Sequence, residues 1–116
     1  MNVLMVQCVF PVDFPLHALA GEIVELGLAA CCQVGAPMTS FYRWEGRTET
    51  AGEVTLTCKT TVACWPGLRD FLLKRHSYQV PEILALPVRA GNAGYLEWVE
   101  AACSAGAPEE PGKPLT

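Results

Sequence analysis

Charge is scarce in this chain of 116 residues: only 17% are charged, below the usual quarter. Eight Lys and Arg against twelve Asp and Glu leave a net charge of -4. No basic stripe gathers along the sequence, which excludes phosphate-backbone attraction as a way of holding nucleic acid. The longest apolar runs are strand-length, far short of the roughly 20 residues that a membrane-spanning helix needs. There is no Gly-rich phosphate cradle and no Walker pattern, so nucleotide binding has no motif behind it. No Cys-x-x-Cys pair occurs, and adjacent Cys31 and Cys32 do not make a zinc ribbon. Met1-Asn2-Val3 carries no charged n-region and no cleavage site, so no export signal is expected.

What is present is apolar: 51% of the residues are hydrophobic. A chain of this size forms one domain and buries about two thirds of its extended surface. With so few charges, apolar surface is left over for a partner, and self-association is expected. The six cysteines, at 8, 31, 32, 58, 64 and 103, mostly lie in apolar runs. There a free thiol behaves as a small hydrophobe. That usage predicts free thiols in a reducing cytoplasm.

Val3 to Phe10 is almost all apolar and predicts a central strand. Asp13 is placed to cap a helix, with Pro15 tolerable in its first turn. Leu16, Leu19, Ala20, Ile23 and Val24 then mark one helical face, and Gly27 suits the left-handed position after it. Leu28 to Val34 predicts a second strand, cut by Gly35-Ala36-Pro37 and resumed from Met38 to Trp44. Glu45-Gly46-Arg47 predicts a hairpin turn. Val54, Leu56, Cys58 and Thr60 alternate with Thr55, Thr57, Lys59 and Thr61, giving one covered face and one wet or partner-facing face. A second helix follows, its regular part starting near Trp65 because Pro66 lacks a donor, with an inner stripe of Leu68, Phe71 and Leu72. Asn92 is set to cap a third helix with Leu96, Val99 and Cys103 inward. The order is β-α-β-β-α-β plus a C-terminal helix. This is an α+β, ferredoxin-like split βαβ arrangement over residues 1–103, an antiparallel sheet with helices on one face. Residues 104–116, rich in Gly, Pro, Ala and Glu, predict a disordered tail.

The polar and titratable groups crowd into one loop. His76, Ser77, Tyr78, Gln79 and Glu82 stand between the second helix and the buried-type run Ile83-Leu84-Ala85-Leu86. A polar loop held against a core is a common place for function.

Several segments together resemble the CutA-type divalent-cation tolerance family. They are Leu28-Ala29-Ala30-Cys31, Thr39-Ser40-Phe41-Tyr42-Arg43-Trp44-Glu45-Gly46-Arg47 and Lys59-Thr60-Thr61. They continue with His76-Ser77-Tyr78-Gln79-Val80-Pro81-Glu82-Ile83, Ala85-Leu86-Pro87-Val88, Gly91-Asn92 and Tyr95-Leu96-Glu97-Trp98. The likeness is colinear from about Val3 to Ala102. It implies a ferredoxin-like subunit in a tight homotrimer whose strands pair edge to edge, tied to tolerance of copper and other divalent cations. The implied trimer is similar to that of PII signalling proteins, with clefts between subunits, and implies no catalytic reaction. In some members a first-strand cysteine and a loop histidine are proposed copper ligands; Cys8 and His76 fall at those positions. Arg75 and Ser77 depart from the family pattern beside that histidine.

Three site readings follow. Cys8 and His76, with Glu82 or symmetry mates adding donors, would suit copper, since thiolate and imidazole are soft and borderline ligands. A Cys/His hydrolase drawn from Cys31 or Cys8 with His76 and Glu82 lacks any thiol at a helix N-terminus to lower its pKa, so no enzyme is expected. A ligand cleft between subunits would use Lys59, Tyr42, Trp44, Tyr78, His76, Glu82 and Cys31: a cation, aromatic faces, a titratable ring and a carboxylate. It would accept a small anion or metabolite. His17, on the polar side of the first helix, is read as solvated.

Overall fold

The structure is a computed structural model that describes residues 2–103; the tail expected over 104–116 lies outside them. The elements in chain order are β1 (Val3–Pro11), α1 (Leu16–Glu25), β2 (Cys31–Val34), β3 (Met38–Trp44), β4 (Arg47–Thr61), α2 (Trp65–Arg75), β5 (Ile83–Pro87) and α3 (Ala93–Ala102). All strand pairs are antiparallel, in the order β2-β4-β1-β5, with β3 also on β4. The expected split βαβ, α+β architecture is therefore present.

β4 is the spine. Its second half pairs β1 on one side and β2 on the other, while Arg47–Gly52 pair only with β3. The β3–β4 hairpin therefore projects beyond the rest of the sheet. Its turn is tight because Glu45 and Gly46 both hold positive φ, 51° and 77°, the combination that matches the natural twist of two strands. Val34 faces Leu56 whereas Met38 faces Glu53. The edge chain thus uses one residue more than β4 across Gly35-Ala36-Pro37, a bulge that re-aims the hairpin.

The two faces of the sheet differ sharply. Val6, Cys8, Phe10, Leu56 and Cys58 point to one side and pack with Leu16, Leu19 and Ile23 of α1 and Leu68 and Leu72 of α2. The opposite side carries Met5, Gln7, Thr57, Lys59, Leu84 and Leu86. Here Met5, Leu84 and Leu86 are 41%, 52% and 47% exposed. A smaller core lies at one end of the sheet, where Val3 and Ala30 meet Cys64, Val99 and Cys103. Thus α3 does not join the other two helices; it closes the end of the sheet.

Four local expectations need correction. The second strand starts at Cys31 instead of Leu28. Leu28 N–H returns to Ile23 O and its own carbonyl accepts from Thr60 Oγ1 at 2.7 Å, so its polar groups are spent outside a ladder. Asp13 does not cap α1; Pro15 holds the N-cap position without a side-chain bond, and Leu16 N–H bonds to Phe14 O. Val24 is only half-buried. The run Ile83–Leu86, read as buried, turns Leu84 and Leu86 to the exposed face of the sheet. Asn92 does cap α3, accepting from Gly94 N–H at 3.1 Å.

Leu72 is fully enclosed between α2 and the sheet, while Lys74 two residues on is exposed. Leu72→Ala is expected to cost about 2–5 kcal/mol in urea denaturation, through lost burial and a residual cavity. Lys74→Ala should stay within about 0.5 kcal/mol.

Candidate functional site: the loop 76–82 and the cleft beside it

β5 begins only at Ile83, opposite Cys8, while β1 runs on to Pro11. Beyond that point β1 would be an edge with unpaired donors and acceptors. The loop supplies the missing partners. Val9 N–H donates to Glu82 O at 3.2 Å. The return bond of that pair, which a regular ladder would draw from a backbone N–H, comes from the His76 ring: Nε2 lies 2.6 Å from Val9 O.

The other imidazole nitrogen is also taken. Tyr78 N–H donates to His76 Nδ1 at 3.0 Å. A carbonyl can only accept and an N–H can only donate, so the ring is neutral with its proton on Nε2. It is flanked by Phe10, stacked at 4.2 Å between centroids and 17° between planes, and by Phe14 and Tyr78. The residue before it is anchored as well: the Arg75 guanidinium forks onto Glu22 of α1 through two contacts of 2.9 Å. That pairing holds the Glu22 carboxyl below its usual range.

Tyr78 then reaches across to the hairpin. Its hydroxyl donates to Glu53 Oε2 at 2.9 Å, satisfying a carboxylate that is only 8% exposed. Partial burial, with Glu53 adding to it, pushes the Tyr78 phenol up to about 12, so it remains a donor across neutral pH. Glu82 accepts from Gln7 Nε2 at 2.9 Å. Between loop and hairpin opens a cleft of about 430 Å³ lined by Val9, Tyr42, Trp44, Glu53, Ser77, Tyr78, Gln79, Val80 and Glu82.

The expected residues are thus partly gathered. Tyr42, Trp44, Tyr78 and Glu82 line one cleft, and His76 stands behind its wall. Lys59 and Cys31 do not line it. They face each other across β2 and β4, where Lys59 Nζ bonds Gln33 Oε1 and Cys31 sits beside Tyr95, whose phenol is raised by burial with Cys31 adding to it. Cys8 points into the core with no exposure. Burial, with Glu82 nearby, pushes its thiol up to about 12, so the thiolate needed by a metal is disfavoured. Glu53, Gln79 and Val80 lie in the cleft too. Glu53 was not expected there, although its alternation with Val54 on β4 puts it on the face of Thr55 and Thr57.

Among the described residues no three His, Cys, Asp or Glu side chains converge as a metal cluster, and no helix is long and apolar enough to cross a membrane. Within one chain the donors therefore do not fit a closed metal site.

The sheet order, the projecting aromatic hairpin and the loop that completes β1 define a ferredoxin-like α+β fold with one bare sheet face. The chain belongs to the CutA1 divalent ion tolerance protein family, whose sequence profile matches residues 4–102. It is 40% identical over 97 residues to the Divalent-cation tolerance protein CutA of Salmonella newport, covering 84% of each chain. A Thermus thermophilus divalent cation tolerance protein superposes with a TM-score of 0.83 at 35% identity, over 88% of this chain and 99% of that one. CutA1 from Oryza sativa superposes at 0.84 with 34% identity, over 90% and 95%.

The Tyr78–Glu53 bond yields a pH signature. A phenol whose folded pKa is raised adds stability that is complete below the unfolded value near 10 and is lost as pH climbs toward the folded value. Ultraviolet titration should show one tyrosine ionising near 12, absent in Tyr78→Phe. That variant should lose about 1–3 kcal/mol at pH 7, because Glu53 keeps its burial and loses a donor.

Proposed function

We propose that the chain works as a cytoplasmic homotrimer in divalent-cation tolerance, copper included, taking the cation as an exchangeable ligand at the cleft between loop 76–82 and the hairpin. The observation that carries this reading is the charge of the cleft. Its lining contains two carboxylates, Glu53 and Glu82, and no lysine or arginine. Such a lining attracts cations and repels anions. Glu53 and Glu82 are each held by one hydrogen bond through Oε2, and a carboxylate has further acceptor positions free.

Association is supported by what the single chain leaves bare. Trp44, Tyr42, Met5, Leu84 and Leu86 are all more than a third exposed, and aromatics so placed commonly bury sheet area against a partner. Further donors for a cation would come from neighbouring copies. Free thiols throughout the chain fit a reducing compartment. The copper ligands suggested by resemblance, Cys8 and His76, are less favoured than the carboxylates. The first is held as a neutral thiol and the second has both nitrogens engaged. Nothing in the cleft gathers a nucleophile, a base and an orienting group, so the reading is of a binding module.

The second reading is a PII-like sensor holding a small anion, and it needs a cation at the cleft. Lys59 is the residue expected for that, and it bonds Gln33 on the bare sheet face instead.

Light scattering at micromolar concentration should give three times the subunit mass, and Leu84→Asp should lower it. A stable monomer would refute the assembly. Calorimetric titration with copper(II) and zinc should show binding weakened about tenfold or more by Glu82→Gln, since one charged contact is worth about 1.5–3 kcal/mol. Equal binding by wild type and Glu82→Gln overturns the cleft assignment. Binding lost only in Cys8→Ser or His76→Ala returns the site to those residues.

A further inference from the structure

Cys32 and Cys58 take no part in the cleft, yet among the described residues they are the pair of thiols in direct contact. They are directly opposed across β2 and β4, with sulfurs 3.4 Å apart. Gly35 N–H bonds to Thr55 O, which makes that pair a hydrogen-bonded one. Alternation from there makes Cys32 opposite Cys58 a non-hydrogen-bonded pair, the kind with the closer approach, about 4.5 Å between Cα atoms. That lies within the 4.4–6.8 Å window of disulfides. Both side chains are on the core face, and Lys59 is the next residue along β4.

We propose that Cys32 and Cys58 are a redox-active dithiol that closes to a cross-strand disulfide by exchange with a small-molecule disulfide. The half-buried Cys32 is the attacking thiol, because Cys58 is fully enclosed. Its thiolate attacks one sulfur of the small disulfide, whose S–S bond breaks and releases one small thiolate. Cys58 then gives up its proton to that thiolate, and its sulfur attacks Cys32 Sγ. The second small thiolate leaves and takes a proton from solvent. Two protein thiols are oxidised and one small disulfide is reduced to two thiols. Cys58 needs no contact with the incoming disulfide itself, since its attack on Cys32 Sγ is intramolecular.

The electrostatics agree with this order. Sharing a hydrogen bond with Cys58 holds the Cys32 thiol below its ordinary value against the effect of burial, with Lys59 helping, while Cys58 is raised. The attacking thiol is thus the more readily ionised. The neighbours are poorly placed to compete. Cys31 points to the opposite face of the strand. Cys8, opposite Leu56 on β1, is the diagonal neighbour of Cys58 at about 7–8 Å. The bridge would close the loop of chain that carries the β3–β4 hairpin and fix its base to β4.

The full chain is equilibrated in glutathione buffers from fully reduced to fully oxidised, quenched, alkylated and mapped by peptide mass. The expected result is an intramolecular Cys32–Cys58 link, two alkylatable thiols fewer, and a higher melting temperature that dithiothreitol reverses. Cys32→Ser, at a half-buried position, should fold, fail to form the link and leave Cys58 unmodified. Cys31→Ser should form the link like wild type. No link in fully oxidised glutathione, a link from Cys58 to Cys8, or a link lost in Cys31→Ser overturns the proposal.

Discussion

The imidazole of His76 holds the cleft end of this molecule together. It stands where β5 has not yet begun and β1 runs on, and a bare carbonyl there would be costly to bury. One ring nitrogen answers Val9 O and the other accepts from Tyr78 N–H. The loop is therefore fixed to the sheet at one residue and given its direction at the next. Tyr78 follows from that direction, and through it Glu53 of the projecting hairpin gains its donor. Remove the ring and three things loosen together: the edge of β1, the turn of the loop and the far wall of the cleft. The Arg75–Glu22 fork one residue earlier fixes where α2 ends and so where the ring begins.

The second constraint is the inequality of the sheet's faces. One side is sealed by α1 and α2, and the other is left with Met5, Leu84, Leu86 and, on the hairpin, Tyr42 and Trp44. In a chain with 17% charged residues, that side keeps Met5, Leu84 and Leu86 exposed beside Gln7, Thr57 and Lys59. The cleft lies at the rim of this bare side. Its acidic lining is then a property of position: Glu53 is on the hairpin, Glu82 is on the loop, and only the fold brings them to one opening.

Much of the fold could be read from residue order. The alternation from Val54 to Thr61, the i, i+3, i+4, i+7 stripe from Leu16 and the Asn92 cap each encode their element locally. So does Glu45-Gly46, because a two-residue turn demands backbone geometry that few residue pairs adopt. What could not be read depended on partners far along the chain. Leu28 to Ala30 has strand composition, yet Thr60, 32 residues away, takes the Leu28 carbonyl. Asp13 has the chemistry of a cap, but Pro15 fixes the entry to α1. At the site, Tyr42, Trp44, Tyr78 and Glu82 were legible as polar or aromatic residues in suspect places. Lys59 was drawn in by charge alone, and strand register places it elsewhere. His76 was a candidate ligand through its place in the family resemblance; nothing local in the sequence announces that Val9 O will claim one of its nitrogens.

The role given to that ring is open to direct test by nitrogen-15 NMR of the imidazole in the full chain at neutral pH. The account predicts a neutral ring with its proton on Nε2, protected from exchange, and a through-bond coupling from Nε2 to the Val9 carbonyl. A ring protonated on Nδ1, or one exchanging freely with water, would contradict it.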